Sequence, residues 1–212
     1  MVKEHRYIKI LGTNLRHHAL LPVLTAVGVF ALTASFFNLS ALTAKEAARP
    51  IEFFLCFVGV MLFTPIFYPE QNHDLRDTVC AKKTSYFTVC VLRLLWSTVV
   101  LVVLVAVFVG LMKWNESAVT GWHVLGGIST AAFLGAIGLF AAGITDNTTL
   151  GYMAAMLYYL ASYGRKEKLG KFFLFSMSMG NFKEKVWLLF GAVVLVSATF
   201  LVLAERRKRL GY

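Results

Sequence analysis

Few side chains here have the type and spacing that chemistry at a fixed site requires. The five histidines are His5, His17, His18, His73 and His123. None pairs with a carboxylate in the H-E-x-x-H manner that sets two imidazoles around zinc on one helix face. His17 and His18 read as anchors at a membrane interface, and His123 opens a long apolar stretch beside Trp122. The three cysteines, Cys56, Cys80 and Cys90, are odd in number and never spaced C-x-x-C, so neither a disulfide framework nor a zinc site follows. The run Gly-Arg-Lys-Glu-Lys-Leu-Gly-Lys-Phe at 164–172 passes briefly for a phosphate loop. That loop needs four residues between its glycines and a Ser or Thr after the lysine, whose hydroxyl holds Mg2+. Here five residues intervene and Phe172 follows Lys171, with no strand before them. The chain carries no ATP-hydrolysing motif of its own.

Carboxylates at membrane depth are functional suspects by default. Two stand near apolar stretches: Glu52 at the start of one, and Asp146 in the Thr-Asp-Asn-Thr turn at 145–148. Both read as helix-cap or turn residues rather than proton carriers, because no carboxylate falls in the middle of a stretch.

The elements that must position these residues follow from composition. Of 212 residues, 58% are hydrophobic and 15% charged, against about 45–50% and about 25% in soluble domains. The apolar residues gather into six blocks, roughly 19–37, 53–68, 94–112, 121–144, 149–163 and 186–204, none holding Asp, Glu, Lys or Arg. A charge at a span centre costs about 2.5–3.5 kcal/mol on insertion scales, so their absence marks lipid as the solvent. The expected fold is all-α: a polytopic membrane bundle of about six transmembrane helices forming a single transmembrane domain. Pro22 falls harmlessly in a first helical turn, while Pro65 should kink or end the second span. Block five reaches only about 22 Å at 1.5 Å per residue, so it is a short span or half of a broken one. The apolar run at 170–180 is too short to cross and reads as re-entrant or interfacial.

Residues 2–17 set Ile8, Leu11 and Leu15 on one helical face among Lys3, Arg6, Lys9 and Arg16, which fits an interfacial helix over 1–18 or else a solvated basic tail. The segment is too polar for a cleavable signal. The net charge of +10 would favour nucleic acid in a soluble protein. Here the basic residues flank apolar blocks, where they meet lipid headgroups, and no nucleic-acid partner is expected. With the N-terminus inside, Arg76, Lys82, Lys83, Arg93 and the basic run at 206–209 share its side, while Lys45, Arg49 and Lys113 lie outside. The last loop, with Arg165, Lys166, Lys168, Lys171, Lys183 and Lys185, goes against that bias. The favoured topology has both termini cytoplasmic in a plasma membrane; block five re-entering from the cytoplasmic side stays open.

Block four sets Gly127, Ala131 and Gly135 four apart, a spacing that lets helices approach closely. The richest polar stretch is 68–85. Glu70 follows Pro69 at a helix start, Leu75 and Val79 form a small apolar stripe among Asp74, Arg76 and Asp77, and Lys82-Lys83-Thr84-Ser85 make a basic turn. This reads as a short amphipathic cytoplasmic helix near 70–80, or as a solvated loop.

Over nearly its whole length the chain resembles the membrane subunit of ABC-2 type transporters, an exporter class. The likeness lies in the order of parts: interfacial helix, six spans, Glu70 after the second, a coupling-helix-like segment with a basic Ser/Thr turn, an irregular apolar loop, and a charged finish at 205–209. It departs from the family at His73, Asp74 and Tyr86, where a Gly and a Pro or Arg are common. The resemblance implies a dimer with a second copy or a paralogous permease, each docked on a separate cytosolic ATPase subunit that binds ATP and Mg2+. No cofactor is expected in this chain. It further implies that Glu70, Asp74, Leu75, Arg76, Asp77, Val79, Lys82 and Lys83 couple the bundle to that ATPase. Apolar and aromatic residues such as Phe36, Phe37, Tyr158 and Tyr159 would face the path of an amphipathic peptide or lipid-like cargo. A vitamin-binding subunit of an ECF-type uptake system is a second reading, although Ala26, Ala31 and Ala34 give no regular small-residue series on the first span. A non-transporting immunity or scaffold protein is a third. An intramembrane enzyme lacks any nucleophile–base or metal constellation.

Overall fold

A computed structural model of the protein describes residues 20–70, 86–164 and 170–210. Among these residues every regular element is helical. The helices are α1 (Leu20–Phe36), α2 (Ala44–Tyr68), α3 (Tyr86–Trp114), α4 (Gly121–Thr145), α5 (Thr148–Gly164) and α6 (Lys185–Leu210). Short 3-10 turns at Gly170–Phe172 and Met177–Met179 lie between α5 and α6. Residues 1–18 and most of the 70–80 segment, where interfacial and coupling helices are expected, lie outside the described residues.

Among the described residues four helices are long and apolar enough to cross a bilayer: α2, Thr88–Trp114 of α3, α4, and Lys185–Glu205 of α6. The other two, α1 and α5, have 17 described residues each, or about 26 Å at 1.5 Å per residue, just under a hydrocarbon core of about 30 Å.

The helices divide into an inner and an outer set. Most of the apolar stretch of α2 (67%) and of α4 (61%) is buried against protein, against 22% for α3 and 17% for α6. α4 sits centrally, packed on α6, α5 and α2. α3 turns Leu95, Val99, Val102, Val103 and Val107 outward, and α6 turns out Val186, Phe190, Val193, Val194 and Leu201. Each set recurs at helical spacing on one face, which in a bilayer meets lipid.

Connections fix the ends. The loops after α1 and after α3 zip together: Ala41 N–H donates to Asn115 O (3.0 Å), Ala118 N–H to Leu42 O (2.9 Å), and Ser117 Oγ to Leu39 O (2.6 Å). α2 then starts with a capping box, in which the Thr43 N–H donates to Glu46 Oε2 at 3.1 Å, and Thr43 Oγ1 donates to the same oxygen at 2.7 Å. At the opposite end Asp146, in the left-handed region at φ 50°, closes α4, and Asn147 Oδ1 accepts the Thr149 N–H at 2.9 Å to begin α5. Arg93 on α3 donates to the Ile66 carbonyl at 3.0 Å, satisfying a group that the end of α2 leaves free.

The second element starts earlier than the apolar block at 53–68. Its helix runs from Ala44 and includes Lys45, Glu46, Arg49 and Glu52. Pro65 behaves as its missing N–H dictates: the α-helical part stops at Phe63 and a 3-10 segment, Thr64–Glu70, follows. The last helix likewise begins at Lys185, not after it. Two ionised side chains that sit at block edges in the sequence are therefore inside helices.

Candidate buried polar site

Pro50 lies within α2 and supplies no N–H, and just after it the ladder loosens into one π-helical turn, Ile51–Leu55. Glu52 sits on this turn. The widened turn also leaves the Phe53 carbonyl able to accept from outside the helix, and the Tyr159 hydroxyl of α5 donates to it at 3.0 Å.

Glu52 is fully buried, and so is Lys185 at the first turn of α6; Lys185 Nζ and Glu52 Oε1 are 2.6 Å apart. The loop between α5 and α6 folds back into the bundle to meet them. Met177 N–H donates to Glu52 Oε1 at 2.8 Å and Ser178 N–H to Oε2 at 2.9 Å, so the carboxylate caps the turn Met177–Met179. Lys185 Nζ donates to Thr130 Oγ1 of α4 at 2.9 Å and to the Leu174 carbonyl. One ion pair thus binds α2, α4, α6 and three backbone groups of the loop. An ionised group buried without partners is prohibitively costly, and this pair is tolerated because both carboxylate oxygens and the ammonium are engaged by the bonds just described.

The local sequence explains why the loop enters. Phe173, Leu174, Phe175 and Met177 are buried, an apolar plug that water would not solvate well. Phe175 stacks on Phe53 with centroids 4.5 Å apart and meets Tyr159 edge-on at 5.4 Å. Phe172 lies against Phe133, and its carbonyl accepts from Tyr158 Oη at 2.8 Å. Gly126 leaves room for the plug: a Cβ there would collide with Met177 Sδ and press on Lys185 Cγ at 3.4 Å.

His123 extends the polar layer. Its Nδ1 accepts the Thr120 N–H at 3.1 Å, which leaves the proton on Nε2, 2.9 Å from the Ala44 carbonyl. The ring is buried and touches Phe182 edge-on at 5.2 Å. It therefore joins the first turns of α2 and α4, a structural part larger than that of an interface residue beside Trp122.

Around Gly59, Ala131 and Gly135, α2 and α4 touch without polar side chains. A Cβ on Gly59 would fall on the Ala131 carbonyl, and one on Gly135 would lie 2.7 Å from the Gly59 carbonyl carbon. Ala131 is fully buried, and a Cβ on Gly127 would lie 2.9 Å from both Ile51 Cγ2 and Val105 Cγ1. The row Gly127, Ala131, Gly135 thus lies along the α2 contact.

Of the eight residues assigned to ATPase coupling, Asp74, Leu75, Arg76, Asp77, Val79, Lys82 and Lys83 lie outside the described residues. Glu70 ends the 3-10 segment, at the end of α2 remote from Glu52. The aromatic residues expected along a transport path do not form one open surface. Tyr158 and Tyr159 brace the loop through their hydroxyls, Phe37 packs edge-on on Phe54, and Phe36 points outward. Glu52 is more than a helix cap, and Lys185 is not a loop charge. Sequence reasoning missed their pairing because they lie 133 positions apart, each at the rim of an apolar block. The available signal was an acid and a base standing directly against such blocks. No group of three or more metal-ligating side chains occurs among the described residues.

In comparisons with known proteins, no family model, curated protein or solved structure matches the chain.

Proposed function

We propose that this chain is the membrane-spanning permease subunit of an ATP-driven exporter of the ABC-2 type, with six spans in the plasma membrane and both termini cytoplasmic. The observation that carries this reading is the course of α2. It runs from the buried Glu52 network at one end of the bundle to Glu70 at the other, where it adjoins the 71–85 stretch that resembles a coupling helix. This helix is packed on α4 through its regular part, Phe57–Phe63, and through the turns on either side of it, so a push at one end is passed on through that contact. In this reading the partner ATPase holds ATP and Mg2+ and presses on Glu70 and the Asp74–Lys83 stretch. A second permease copy or a paralogue completes the path, and the cargo is an amphipathic peptide or lipid-like molecule.

Affinity capture of the chain from native membranes tests the assembly: a cytosolic nucleotide-binding subunit should accompany it, in fixed ratio to this chain. Recovery of the chain with no ATPase bound would sink the reading. Glu70→Ala should insert normally yet weaken transport-coupled ATP hydrolysis in reconstituted vesicles, and unchanged coupling would count against Glu70's role.

A further inference from the structure

The geometry points to a latch: the Gly170–Gly180 loop docks and undocks as one unit, and the Glu52–Lys185 pair holds it shut. Three backbone hooks fix the loop to this pair. Two loop N–H groups, on Met177 and Ser178, go to Glu52, and the Leu174 carbonyl accepts from Lys185. Because all three converge on one ion pair, they are made or lost together, which gives two arrangements rather than a continuum. Both ends of the segment have hinge geometry, Gly170 at φ 50° and Gly180 at φ 91°, in the left-handed region that glycine enters freely.

The pair is poorly explained as a simple staple. A buried ion pair is about as stable as, or less stable than, a well-packed apolar substitute. Lys185 is also a cation at the first turn of α6, where the helix dipole favours anions. Its location is understandable if it serves the loop. When the loop leaves, Glu52 and Lys185 keep each other and gain water, so the open arrangement strands no unpaired charge. The latch stands on the loop's own contacts and does not require that an ATPase drive the bundle.

Hydrogen exchange read by mass spectrometry on the purified full chain in lipid nanodiscs tests it. In Glu52→Gln, peptides spanning 170–180 should exchange more than tenfold faster, while peptides around the Gly138–Gly151 contact of α4 and α5 keep their protection. The double variant E52M/K185M, which removes all three hooks without stranding a buried charge, should give the same local pattern and serves if the first variant fails to insert. Unchanged loop exchange in both variants would overturn the latch. So would equal acceleration in all the helices, which is what a general staple predicts.

Discussion

α2 is held to α4 in two different ways along its length. At Gly59, Ala131 and Gly135 the backbones meet with no side chain between them. Less than two helical turns away, at Glu52, the link runs through Lys185 of α6, which pairs with the carboxylate and donates to Thr130 Oγ1 of α4. The glycine contact relies on shape alone: dispersion is gathered over many atoms, and nothing about it can switch. The polar junction concentrates its energy in a few directional bonds, each costly to leave unmade. The first suits a fixed seam. The second suits a joint with two states, which is where the loop docks.

Substitutions can break or sharpen that contrast. The largest effect is expected from Lys185→Ala, which leaves the Glu52 carboxylate buried without its cation; it should cost about 3–5 kcal/mol. The double variant E52M/K185M should recover much of that loss in denaturant unfolding of the detergent-solubilised protein, and losses that merely add would remove the case for coupling. Next comes Gly59→Ala, whose methyl has only the Ala131 backbone to displace. Overpacking should lower stability by about 3 kcal/mol. Unlike the polar variants, it should loosen α2 and α4 together, read as hydrogen exchange across both helices. His123→Leu removes the acceptor for Thr120 and the donor to Ala44, a loss of about 1–3 kcal/mol measured the same way. Tyr159→Phe strips only the bond to the Phe53 carbonyl, and about 1 kcal/mol should go. Smallest is Gly28→Ala: nothing lies within 4 Å of a Cβ there, so a slight gain of about 0.5–1 kcal/mol from helix propensity is expected. A large loss at Gly28 would show that its outward face is covered by another chain.

The apolar blocks and the row Gly127, Ala131, Gly135 were legible because they are local properties, repeated within one or two helical turns. Charge-free runs give helices at membrane depth, and small residues four apart give a face that can be closely approached. The starts of α2 and α6 were not legible. Hydropathy counts Lys45, Glu46, Arg49 and Lys185 against a span, whereas the capping box at Thr43 and the bond network at Lys185 let charged residues enter helices.

What the sequence determined by itself was the helical class and the places of the long apolar runs, since each depends on transfer energies and periodicities that neighbouring residues set among themselves. What only the tertiary structure decided was that Glu52 and Lys185 meet. Their partnership requires the π-helical turn after Pro50, the gap at Gly126 and the return of an apolar loop to coincide at one point. No stretch of the chain carries that coincidence, because a buried charge is stable only when distant groups arrive to satisfy it.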